Sequence, residues 1–385
     1  MAQRVTTMTN YTTLEYIDKV EAEQLAAIDR LLEFLPSYIR DYSEYKKSKV
    51  ATKTRREYIQ DFFSFFSFLI DTKEECKDMI IKDVPLEVLS SVTLDEFAHY
   101  ESWLKDEDKG GGSNTAITIK RKKSSLRSLY NYLYASDRIS VNPVVKIETT
   151  RTKKKKRENI RVLDDKERAV FLKRFEQQYE KAVEKLNEAL ALEDTKGKKV
   201  SEAIRMKPAL VKRDKAIVYL ALGSGLRVSE LCAINCADFV PALGRINVIR
   251  KGERDGNEAD KRTDFVLLNK EVVDILIEYM NEYRDTIGPD INNYDALFLS
   301  SKHTRITPRA IEQMVREYAD ATLGANNGVV VHSLRASFGQ RFQDTFGNIL
   351  ATADVLNHSD ISVTASHYLK KRDTAKQDAQ TMPVG

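Results

Sequence analysis

Apolar residues recur at three- to four-residue spacing through most of the first 148 positions, the period of an amphipathic helix. The stretch LEYIDKVEAEQLAAIDRLLEFLPSYIRDY (14–42) keeps this period and bends near Pro36. In TKTRREYIQDFFSFFSFLID (52–71), Tyr58, Phe62, Phe65, Phe66 and Leu69 share one broad face, which reads as core. Thr93 followed by Glu96 is a capping-box signal opening the next helix. A Gly-rich turn at 110–112 leads to a cap at Ser113 or Asn114 and then a long helix. Four or five helices are expected over residues 13–148.

From 162 onward the pattern changes. Helical periods occupy 164–192, with Asp164 as a candidate cap, and 212–222. LRVSELCAINCADFV (226–240) follows a Gly-Ser-Gly turn. RINVIRKG (245–252) and TDFVLL (263–268) read as two short strands flanking a polar segment, and helices resume near 270. The fold class is therefore mainly α with a small antiparallel sheet, in two domains: 13–148 and 162–385, joined by a basic linker at 149–161.

Composition narrows the class. A chain of 385 residues accommodates two ordinary domains, and 31% charged residues against 42% hydrophobic ones suits a large solvated or ligand-facing surface. No stretch reaches the roughly 18 to 20 apolar residues a membrane span needs. The N-terminal twenty residues hold no apolar signal-peptide core, so a cytoplasmic location without membrane insertion is expected. Three cysteines exclude a disulfide framework, and Cys232 and Cys236 have no further Cys or His nearby to complete a zinc site.

A net charge of +4 says little until its distribution is read. Residues 45–56 hold six basic and no acidic side chains: Lys46, Lys47, Lys49, Lys53, Arg55 and Arg56. Lys120, Arg121, Lys122 and Lys123 open the long helix, and the linker carries seven basic residues between Arg151 and Arg161, among them Lys153, Lys154, Lys155 and Lys156. Helix N-termini with cations nearby favour phosphate, so these clusters are candidates for a nucleic-acid backbone.

The second domain carries candidate chemistry. Arg227 follows the Gly-Ser-Gly turn, with Glu230 three residues on and able to orient its guanidinium. Lys251 ends a strand at a hairpin, His332 stands three residues before Arg335, and His358 precedes Tyr368 by ten. In order, SGLRVSEL, RKG, HSLR, LNHSD and HY resemble the motifs of the tyrosine recombinase (phage integrase) family. The N-terminal half resembles that family's helical core-binding domain, and three longer stretches are similar to the Xer recombinases of the single-recombinase type.

The resemblance implies a metal- and cofactor-independent transesterification. Arg227 and Arg335 would clamp the scissile phosphate, Tyr368 would attack it, and Lys251 would protonate the leaving oxygen. His332 and His358 would assist. It also implies double-stranded DNA with a dif-like site as substrate, a homotetramer on two sites, and a septal DNA translocase as activating partner. The integrase of a phage or conjugative element stands as the alternative, and a non-cleaving DNA-binding protein as the alternative of another class. Ala336 replaces a common histidine, Asn357 stands where the family usually has glycine, and Lys261 competes with Lys251 as the acid.

Overall fold

A computed structural model describes residues 12–106, 114–146, 161–251, 261–288, 295–357, 361 and 364–365. They fall into two compact units. Residues 17–106 and 114–146 form a helical unit, and residues 12–16 join the remainder in the second.

The helical unit is built from α1 (Thr13–Leu32), α2 (Ser37–Lys46), α3 (Thr52–Thr72), α4 (Leu86–Ser91), α5 (Leu94–Lys105) and α6 (Ala116–Ala135). That is one helix more than periodicity suggested, because α4 spans only six residues, too few to display a period. The stripe on α3 is core: Phe62, Phe65, Phe66 and Leu69 are fully buried, with Tyr58 packed at their margin. Phe65 stacks on Phe97 of α5 at 5.6 Å between ring centroids. Burying aromatic faces of this size is the main stabilising term for such a bundle. Thr93 and Glu96 form the expected capping box at the start of α5. At α6 the cap differs from expectation. Thr115 accepts from the Thr118 N–H, while the Asn114 side chain donates to the Leu104 carbonyl instead; Ser113 lies outside the described residues.

The second unit contains α7 (Asp165–Lys196), α8 (Glu202–Ser224), α9 (Val228–Ala233), β1 (Phe239–Val240), β2 (Arg245–Lys251) and β3 (Lys261–Leu267). Then come α10 (Lys270–Glu278), a π-helical turn over Tyr279–Tyr283, α11 (Arg284–Ile287), α12 (Pro308–Leu323), α13 (Val331–Phe346) and α14 (Ile349–Val355). Asp164 caps α7 in a capping box with Glu167. Helix α8 begins ten residues earlier than its pattern suggested and runs through Pro208, a residue that in sequence reads as a stop. Both expected strands are present, antiparallel, and β1 adds a two-residue third strand to β2. The core gathers around α8, where Ile217, Leu220 and Ala221 are buried. Thr13 donates to the Ala233 carbonyl at 3.3 Å, and the Tyr16 ring lies 4.2 Å from the Arg305 guanidinium, contacts that keep residues 12–16 within this second unit. Among the described residues no helix is long and apolar enough to cross a membrane.

Candidate active site

The site starts from a helix ending. Helix α8 stops at Gly225 in the left-handed region (φ +64°), and a Cβ there would stand 2.5 Å from Phe338 Cδ1 and 3.0 Å from Leu356 Cδ2. Glycine is needed twice over, for the backbone angle and for the space. The chain then turns so that Arg227 becomes the residue preceding α9. Glu230 is buried in the first turn of that helix. Its carboxylate accepts from the Arg227 N–H at 2.7 Å and from Arg227 Nη1 at 3.0 Å, the orienting contact expected from the sequence. The Arg227 side chain keeps 41% of its surface exposed.

Arg335 comes from the first turns of α13, which packs against α8. It is 4% exposed. Its Nη1 donates to the Gly225 carbonyl at 2.5 Å and its Nη2 to the Leu356 carbonyl. Arg227 Nη2 donates to the next carbonyl, that of Asn357, at 2.8 Å. Two guanidiniums separated by 107 residues of chain are thus brought to one turn following α14. Asn357 in that turn is itself left-handed, at φ +47°. Asparagine is the side chain that tolerates this region best after glycine, which accounts for its standing at the family's usual glycine position.

These main-chain acceptors were not picked out from sequence, where only side chains announce chemistry. The available signals were the Gly-Ser-Gly turn and an asparagine in a glycine's place. The anchoring continues behind Arg335: Ser337 Oγ donates to the Ser333 carbonyl at 2.8 Å and accepts from the Leu163 N–H at 2.9 Å. Ala336 is buried.

His332 occupies the same first turn of α13 and is exposed, whereas Arg335 faces inward. Lys251 is the last residue of β2, and the register sets it directly opposite Lys261 of β3, with Arg250 opposite Arg262. The two candidate acids therefore occupy paired positions at one end of the hairpin. Arg250, next to Lys251, is buried beside the Asp264 carboxylate at 3.1 Å. His358 and Tyr368 lie outside the described residues. Among the described residues no group of three or more His, Cys, Asp or Glu side chains gathers to hold a metal ion.

A phage integrase family domain matches residues 192–375, the span that carries Arg227, Lys251, His332, Arg335, His358 and Tyr368. The chain carries this domain over just under half of its length, and its relatives are named tyrosine recombinases. The tyrosine recombinase XerC of Caldanaerobacter subterraneus subsp. tengcongensis is 27% identical over 340 residues, covering 86% of this chain and 82% of that protein. XerS of Lactococcus lactis subsp. lactis is 25% identical over 365 residues, covering 90% and 95%. Among solved structures, the Tn1549 transposon integrase in complex with a circular intermediate DNA shares the fold. Its TM-score is 0.57 over 90% of this chain and 99% of that one, at 16% identity. This recombinase is therefore an enzyme of site-specific recombination, Xer-like in sequence along most of its length.

The recombinase's basic clusters are not alike once folded. In the α6 cluster, Arg121 donates to the buried Asp61 carboxylate at 2.6 Å, Lys123 pairs with Glu101 at 2.6 Å, and Lys122 donates to Ser64 Oγ; Lys120 is exposed. Burial of Asp61 pushes its carboxyl above the usual range, against the opposing pull of Ser125, Arg121 and Lys122. In the cluster between α2 and α3, Lys49 Nζ lies 3.5 Å from the Tyr45 ring centroid and Lys46 Nζ at 5.5 Å, cation–π contacts on a ring that is 41% exposed. Lys47 stands 3.8 Å from Glu44, Lys53 is exposed, and Arg56 donates to Gln24 at 2.9 Å. Arg55 departs from its expected role. It is 4% exposed and donates to the Ser43 carbonyl at 3.3 Å, so it braces the joint between α2 and α3 rather than facing outward. Lys153, Lys154, Lys155 and Lys156 lie outside the described residues.

Proposed function

We propose that this recombinase cuts and rejoins double-stranded DNA through a 3′-phosphotyrosyl intermediate. Tyr368 Oη attacks the scissile phosphorus, the P–O5′ bond breaks, and the departing 5′ oxygen takes a proton from Lys251. His332 receives the phenol proton, and His358 hydrogen-bonds the phosphate. One phosphoester replaces another, so the reverse step reseals the strand with no outside energy source. Only about one phenol in a thousand is ionised at neutral pH, which is why the nucleophile needs a base or a cationic neighbour.

The observation that carries this reading is the convergence of Arg227 and Arg335 on the carbonyls of Leu356 and Asn357. Two fork-shaped cations fixed at one place suit the extra negative charge that a phosphoryl group gains in its transition state. The duplex would be held by a core-binding domain at 13–148 and a catalytic domain at 162–385, with basic residues of the first along its phosphates. Similarity to XerC and XerS supports resolution of chromosome dimers at a dif-like site, by a homotetramer in the cytoplasm under a septal translocase. Shared fold with the Tn1549 integrase supports mobile-element integration as the second reading.

The test is a nicked suicide duplex carrying candidate dif-like or element-end sites, incubated with wild type and Tyr368→Phe. Wild type is expected to form a covalent, protease-sensitive adduct that the variant cannot form. An adduct persisting in the variant would remove Tyr368 as the nucleophile. Binding without any adduct would support the non-cleaving alternative, with Ala336 the first residue to examine.

A further inference from the structure

We infer that Asn357 is a positioning residue whose left-handed backbone holds both phosphate-clamping arginines in place. The inference rests on the proposed role of Arg227 and Arg335. Leu356 and Asn357 are consecutive, and their carbonyls accept from different arginines, Arg335 and Arg227 respectively. A carbonyl's direction is set by the torsions on either side of its peptide. The left-handed angle at 357 therefore fixes where the Leu356 carbonyl ends and the Asn357 carbonyl begins. The turn is braced on its own helix, since the Asn357 N–H donates to the Asp354 carbonyl at 2.7 Å.

The opposite wall is equally constrained. Gly225, also left-handed, gives its carbonyl to Arg335, and its missing Cβ leaves the space that Leu356 and Phe338 occupy. Arg335 thus spans two left-handed turns 132 residues apart, one at the end of α8 and one after α14. A residue forced out of this region at 357 would rotate both carbonyls and release a hydrogen bond from each arginine. Both contacts are to main-chain oxygens, so the Asn357 side chain takes no part in them. Glycine should serve as well as asparagine, and a β-branched residue should not.

The experiment compares wild type, Asn357→Gly and Asn357→Val as full chains. One readout is the rate of covalent adduct formation on the nicked suicide duplex at saturating protein. A second is duplex affinity. The third is the rate at which phenylglyoxal modifies Arg335 and Arg227, followed by peptide mass spectrometry without DNA. Asn357→Gly is expected within about twofold of wild type in all three. Asn357→Val is expected to slow adduct formation by roughly 10²-fold, the scale of an ångström misplacement at a reacting centre. Its duplex affinity should stay within about threefold, and its Arg335 should react faster with phenylglyoxal.

If Asn357→Gly is as slow as Asn357→Val, the side chain matters and the inference falls. It falls equally if Arg335 in Asn357→Val stays as protected as in wild type, even where cleavage is lost, since the effect would then run through the neighbouring His358. Wild type that forms no adduct, while Asn357→Val still unlocks Arg335, would overturn the proposed chemistry and leave the positioning role standing. Thermal melting shows whether Asn357→Val folds, and the Gly variant carries the test if it does not.

Discussion

Arg121 in the helical unit and Arg335 in the second unit sit in similar sequence settings, each near the start of a helix beside serines. Their surroundings differ. Arg121 meets a buried carboxylate, that of Asp61, which also accepts from Ser125 Oγ at 2.6 Å. Arg335 meets the carbonyls of Gly225 and Leu356. A carboxylate orients a guanidinium and cancels its charge, whereas a carbonyl orients it and leaves the charge to act elsewhere. Arg227 combines the two arrangements, with Glu230 on one side and the Asn357 carbonyl on the other. The same side chain therefore serves as a brace in one unit and as a candidate phosphate clamp in the other.

The sharpest way to break this comparison is to keep the charge and remove the fork. Arg335→Lys cannot reach two carbonyls at once, and adduct formation is expected to fall by about 10²–10³-fold, the scale of losing a preorganised donor. Arg121→Lys should change the same rate less than about threefold, because a single ammonium can still answer one carboxylate. Equal losses in the two variants would dissolve the distinction.

Asp61 offers a second test, through pH. Its folded-state pKa is raised, chiefly by burial, so ionising it weighs against the folded state. That penalty is absent below the unfolded carboxylate pKa and grows as pH rises through the raised folded value. Asp61→Asn does not titrate. Its stability relative to wild type should therefore improve as pH rises through that window. Trp103 is the chain's single tryptophan and is buried in the helical unit, so its fluorescence follows this unit alone. A difference that stays flat across the acid range would mean that burial does not govern this carboxyl.

The smallest expected effects lie in duplex binding. Lys49→Gln is expected to lower the slope of log affinity against log salt by about one, as loss of a phosphate contact does. Lys123→Gln, whose ammonium already answers Glu101, should lower it by much less. A reversed order would place the phosphate contacts on α6 instead of at the α2–α3 joint.

Much of this molecule was legible without coordinates, and for local reasons. The buried stripe of α3, the capping boxes of Thr93 and Asp164, and the two hairpin strands depend on residues within a few positions of each other. The order of the recombinase motifs was legible as well, since it is a property of the chain itself. Length hid α4 and β1, which are too short to show a period, and Pro208 hid the first half of α8.

What only the tertiary structure decided concerns partners distant in sequence. A run of lysines and arginines looks uniform as text. Folding buries Arg55, neutralises Arg121 with an acid 60 residues away, and leaves Lys46 and Lys49 over an exposed tyrosine ring. The strand register set Lys251 opposite Lys261. Apart from the Glu230 carboxylate on Arg227, the grip on the two arginines comes from carbonyl groups, which every residue carries. Only the backbone angles at Gly225 and Asn357, imposed by the packing of α8, α13 and α14, single those carbonyls out.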